Sequence, residues 1–147
     1  MKEVCDFLAQ EELDKITEAT DKAELLTSGE IKVVIRCARE RGLSTHKQAL
    51  AEFYGHGLDK TKDQTGVLIF VLLENREIEV LGDKGINNEV PNGYWNGVVE
   101  MIRSGFKAGK GSEGICRAVA EVGRLLQEKF PRKPDDKNEL PNEVIQG

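Results

Sequence analysis

Seven consecutive residues, Val67-Leu68-Ile69-Phe70-Val71-Leu72-Leu73, carry no polar side chain. Successive side chains of a strand point to opposite faces, so a run that is apolar at both parities needs cover on both. The run is far short of the ~20 residues that span a bilayer. It therefore predicts a central strand with helices packed on each side. Glu74-Asn75-Arg76 makes a short turn, and Glu77-Ile78-Glu79-Val80-Leu81 alternates as a half-exposed strand does, so the two runs form a β-hairpin.

The flanking segments supply the rest. Residues 7–26 read as a helix with Leu13, Ile16, Ala19, Ala23 and Leu26 at helical spacing, stopped by Thr27-Ser28-Gly29. Residues 30–38 alternate as a strand through Ile31, Val33, Ile35 and Cys37. Thr45 and Gln48 form a capping-box pattern before a helix carrying Ala49, Leu50, Phe53 and Tyr54, which ends at Gly55 or Gly57. After a glycine-rich loop at 82–88, Trp95, Val98, Val99, Ile102 and Phe106 line one helix. Ser112 is placed to cap another, along Ile115, Val119, Val122 and Leu126. The predicted class is α/β, in the order α-β-α-β-β-α-α, with helices on both faces of a mixed sheet. Its β-α-β portion at 30–73 is a right-handed crossover between parallel strands. One domain occupies residues 1–130, and 131–147 form a polar, proline-punctuated extended tail with Leu140 and Val144 as anchors.

Charge and composition exclude several functions. The 147 residues carry a net charge of −5 and no basic stripe, which argues against a nucleic-acid partner. No segment has the pattern of a signal peptide or a membrane span, so the expected location is the cytoplasm, with no membrane partner. The three cysteines, Cys5, Cys37 and Cys116, are odd in number and widely spaced, and are expected to be reduced. His46 and His56 read as surface or packing residues, Trp95 as a core residue, and Arg36, Arg39 and Arg41 as a solvated edge. No Gly-x-Ser-x-Gly elbow is present, and Gly105–Lys110 is one residue short of a P-loop and lacks its preceding strand. No catalytic residue is assigned.

Connectivity alone gathers a set of carboxylates. Antiparallel pairing about the turn at 74–76 sets Asp83 roughly opposite Val67, and Asp63 stands just before Val67. The parallel first strand starts at the same rim. Asp59, Asp63, Asp83 and Glu30 are thus expected to converge there. Oxygen-only donors favour Ca²⁺ or Mg²⁺ over zinc or copper. Lys84 is an alternative neutralising charge for Asp83.

Thr27-Ser28-Gly29-Glu30-Ile31-Lys32-Val33, Gly66-Val67-Leu68-Ile69-Phe70-Val71 and Arg76-Glu77-Ile78-Glu79-Val80-Leu81-Gly82-Asp83-Lys84-Gly85-Ile86, in this order and spacing, resemble the TPM domain over roughly residues 7–130. That family includes thylakoid-lumen proteins tied to photosystem II repair, animal receptor-accessory proteins and many bacterial proteins. The resemblance implies a three-layer α/β/α sandwich and divalent-cation binding, often of Ca²⁺. It also implies an acid-phosphatase activity seen in the plant branch. Carried over, the cation positions are Asp63 and Asp83. Where relatives often have Gly-Tyr-Gly, this chain has Gly82-Asp83-Lys84-Gly85. The expected function is a soluble module holding a divalent cation at the acidic rim. The alternatives are a metal-assisted phosphatase and a metal-free domain that docks a protein partner through its tail.

Overall fold

The apolar run forms the second strand of a four-stranded mixed sheet in a computed structural model that describes residues 8–132 and 144–147. In chain order the elements are α1 (Gln10–Glu24), β1 (Glu30–Arg36), α2 (Thr45–Gly55), a single 3₁₀ turn (Leu58–Lys60), β2 (Gly66–Leu72) and β3 (Glu77–Gly82). These are followed by α3 (Lys84–Asn87), α4 (Tyr94–Lys107), α5 (Gly111–Lys129) and β4 (Ile145–Gln146). The strand order is β3-β2-β1-β4. β1 runs parallel to β2, from Glu30 beside Gly66 to Arg36 beside Leu72, and β3 pairs antiparallel to β2.

All seven residues of β2 are buried. On one face Ile31, Val33, Ile35, Val67, Ile69, Val71 and Val80 pack with residues of α1, α4 and α5, among them Ile16, Ile102, Val119 and Leu126. On the other, Val34, Leu68, Phe70 and Leu72 pack with Ala49 and Phe53 of α2 and with Leu58. This is the predicted three-layer α/β/α sandwich. Each such side chain contributes roughly 1.5–3 kcal/mol when fully withdrawn from water, so the run of β2 anchors both layers. α4 and α5 approach at glycines: a Cβ added to Gly105 would lie 2.7 Å from Gly114 Cα.

Local chemistry moves several boundaries. α1 begins at Gln10, where Glu12 reaches back to accept from Ala9 N at 2.9 Å, and ends before Leu26, which is 64% exposed rather than part of the buried face. Ser44 caps α2 by accepting from Lys47 N. The expected partners are used elsewhere: Thr45 bonds Glu77, and Gln48 accepts from Glu40 N. Ser112 lies buried inside α5, which starts at Gly111 without a side-chain cap. The glycine loop holds a short helix, α3, capped by Asp83. The end of the chain adds a short strand that was not expected. Ile145 and Gln146 join the sheet beside Val34 and Ile35, and Val144 packs partly buried on the core. Leu140 lies outside the described residues.

Candidate functional site

The rim predicted from connectivity forms where β1 and β2 begin and β3 ends. Val67 pairs with Gly82, one residue short of the expected partner, and Asp83 N donates to Gly66 O at 2.9 Å. Asp83 then leaves the strand, and its Oδ1 accepts from Lys84 N at 2.8 Å, which starts α3. No ion pair forms between Lys84 and Asp83. α3 sits directly on the loop that carries Asp63. Ile86 N donates to Gln64 O at 3.3 Å, and a Cβ added to Gly85 would fall 2.1 Å from Asp63 O and 2.6 Å from Gln64 O. Only glycine permits that approach. Gln64 itself is left-handed, at φ 57°. Asp83 is two residues from the contact, at most about 7.6 Å of Cα path.

Further bonds hold the two loops in place. Ser28, just ahead of β1, donates its hydroxyl to Asp63 Oδ2 at 3.2 Å. Trp95 packs half-buried on the core as expected, but its indole N–H also donates to Asn87 Oδ1 at 2.8 Å, and Asn87 Nδ2 donates to Gly82 O at 2.7 Å. Chain direction alone already brings Ser28 and the 82–88 loop, with Gly85 and Asn87, to this rim. The Ser28–Asp63 bond, the close approach of Gly85 and the part played by Trp95 are not legible in residue spacing.

The other two expected carboxylates do not join. Glu30 is 2% exposed and alternates along β1 with Lys32 and Val34, on the side that α2 covers. Glu30 and Lys32 are both buried, and both are partnered. Asp59 stands exposed on the 3₁₀ turn. Among the described residues, no three His, Cys, Asp or Glu side chains gather as a metal cluster. The site therefore reduces to Asp63 and Asp83 on touching loops, with Ser28 Oγ and backbone carbonyls as neighbouring oxygens. That donor set fits a hard cation loosely held.

The other end of the sheet carries paired charges. Arg36, expected at a solvated edge, instead donates through Nε and Nη2 to Glu52 at 2.7 and 3.0 Å, and His56 lies 3.2 Å from the same carboxylate. Burial works to raise the Glu52 pKa, but the Arg36 bonds and charge, with His56, outweigh it and leave the carboxyl below its ordinary value. Arg39 pairs with Glu77, and His46 with Glu79. Cys37, just past β1, is disulfide-bonded, against the expectation of reduced thiols. Residue spacing carries no record of which sulfurs meet in space. Cys116 is a free thiol pushed up by burial, and Cys5 lies outside the described residues. The cysteine count thus does not place the chain in a reducing compartment. No helix among the described residues is long and apolar enough to cross a membrane.

Comparison with known proteins settles the lineage. The family model described as the TPM domain matches residues 3–125. The chain belongs to the TPM domain family. A TPM relation also fits the solved structures. The chain is similar to the BA42 protein of the psychrophilic bacterium Bizionia argentinensis, known from NMR, with 36% identity, a TM-score of 0.87 and full coverage of both chains. It shares its fold with the N-terminal domain of a P. gingivalis protein at 19% identity and a TM-score of 0.64, over 84% of this chain and 78% of that one. No curated protein matches. The TPM resemblance read from the β1, β2 and β3 segments is thereby established, and those strands are the ones that build the rim.

Proposed function

We propose that this TPM domain is a binding module that takes a divalent cation, Ca²⁺ or Mg²⁺, at the rim carrying Asp63 and Asp83. The observation that carries the reading is the seating of Gly85 on the carbonyls of Asp63 and Gln64, which holds the two aspartate-bearing loops in register. The neighbouring donors are all oxygens, the chemistry of hard cations. Two carboxylates leave most of the coordination to carbonyls and water, so the affinity falls in the weak class of extracellular modules, with Kd about 10⁻⁴–10⁻³ M. The phosphatase alternative rests on the family resemblance alone: a cation held here would activate a water as the nucleophile, with Asp63 or Asp83 as ligand or base.

Calorimetric titration with Ca²⁺ and with Mg²⁺ tests the proposal. Asp83→Asn retains the capping oxygen of α3 while removing the charge, so it should fold normally and lose the binding heat, as should Asp63→Asn. Heat that survives the double variant would overturn the assignment.

A further inference from the structure

At the far end of the β2–β3 hairpin lies a cavity of about 580 Å³, within the ~300–1,000 Å³ typical of small-molecule sites. Its floor is apolar: Val71 and Ile78, which pair across the hairpin, with Leu73 and Phe106. Its charged residues are Arg76, Arg103 and Lys107, and no carboxylate lines it. Arg103, Phe106 and Lys107 stand at i, i+3 and i+4 on α4, so the last turns of that helix lay one ring and two cations over the strand end. Arg76 reaches in from the hairpin turn.

The groups around the opening do not neutralise this charge. Arg103 is paired with Glu100 one turn earlier, and Glu77 is occupied by Arg39. Glu74 lies in the turn beside Arg76. Among the described residues Arg76 and Lys107 have no ion-pair partner. In a chain of net charge −5, a carboxylate-free cavity with two uncompensated cations is a local reversal of sign. Arg76 also holds a left-handed backbone, φ 55°, where glycine would be unstrained.

We propose that this cavity binds a small organic anion: an apolar body lying on Phe106, Ile78 and Leu73 beneath one phosphate or carboxylate group held by Arg76, Lys107 and Arg103. The guanidinium fork and the ammonium suit a headgroup with several oxygens. The floor discriminates such a ligand from an inorganic ion.

Octyl phosphate is a suitable probe, followed by amide shifts in the full chain, with octanol and inorganic phosphate as controls. Octyl phosphate should bind saturably and move the amides of 73–78 and 103–107, and its affinity should fall as salt rises. Octanol and inorganic phosphate should each bind at least about fivefold more weakly. The Arg76→Gly/Lys107→Gln double variant should weaken octyl phosphate about five- to tenfold. Glycine suits the backbone at position 76. Lys107 also complements the C-terminal dipole of α4, so the urea midpoint of the double variant serves as the folding control. Equal binding of octanol or of inorganic phosphate, an unchanged affinity in the double variant, shifts confined to other surfaces, or no shift would each overturn the proposal.

Discussion

The two ends of the β2–β3 hairpin are built on opposite plans. At the acidic end the backbone closes on itself: α3 sits on the loop before β2, Asn87 is tied to Gly82 and Trp95, and the charged groups are short aspartates. At the cationic end the backbone stops short, α4 ends over a hollow, and the charges ride on long exposed side chains. A short side chain on locked backbone has its position set before a ligand arrives. A long one on an open edge contributes charge, and it loses entropy when a ligand orders it. Binding at the first end should thus depend on backbone geometry, and at the second on charge count and salt.

The contrast is most exposed at Gly85. Gly85→Val forces a side chain into the Asp63 carbonyl, and should cost about 3 kcal/mol in urea unfolding together with all cation heat. Octyl phosphate binding at the far cavity should persist in whatever fraction stays folded. Full stability in this variant would mean that the loops are not locked. Trp95→Phe removes the indole donor to Asn87 and should cost about 1 kcal/mol, with weakened cation binding; an unchanged titration would show that the clamp is irrelevant to the site.

Acid should act at the cationic end. Glu52 is held below the ordinary carboxyl value of 4.5, so the unfolded chain takes up its proton first as pH falls. The Arg36–Glu52 contribution is present above that value and is lost as pH drops through the lower folded one. The loss should be smaller than that in Trp95→Phe, since the pair is partly hydrated, and it should vanish in Glu52→Gln when stability is measured against pH. The smallest effect has the opposite sign. Arg76→Gly relieves a left-handed arginine and should gain about 0.5 kcal/mol. A loss there would mean that the arginine makes stabilising contacts that outweigh its backbone strain.

Much of the acidic end was legible in sequence because it follows from alternation and chain direction alone. An apolar run buried at both parities, a short turn and an alternating partner are enough to bring residues 63 and 83 to one rim, with an error of one residue in register. Glu30 begins β1 at the same rim, but strand alternation puts it on the face of Val34, and it is buried rather than open to solvent. Capping was legible only in part: Ser44 and Thr45 are adjacent and both competent, and Thr45 is drawn away by Glu77. The cavity is not legible in sequence because Arg76 and Lys107 are 31 positions apart, and only the crossing of α4 over the hairpin brings them together. β4 is two residues long, too short to show any period, and the Cys37 disulfide depends on a spatial meeting that spacing does not report.

The central claim is that backbone packing at Gly85 makes one divalent-cation site from two loops. Amide spectra recorded while Ca²⁺ is added to about 5 mM, several times the weak-site Kd, test it most directly. Saturable shifts at Asp63, Gln64 and the 83–86 segment, with Arg76, Arg103 and Phe106 unmoved, are the predicted result. A silent 83–86 segment, or small unsaturable shifts spread over the surface carboxylates, would contradict it.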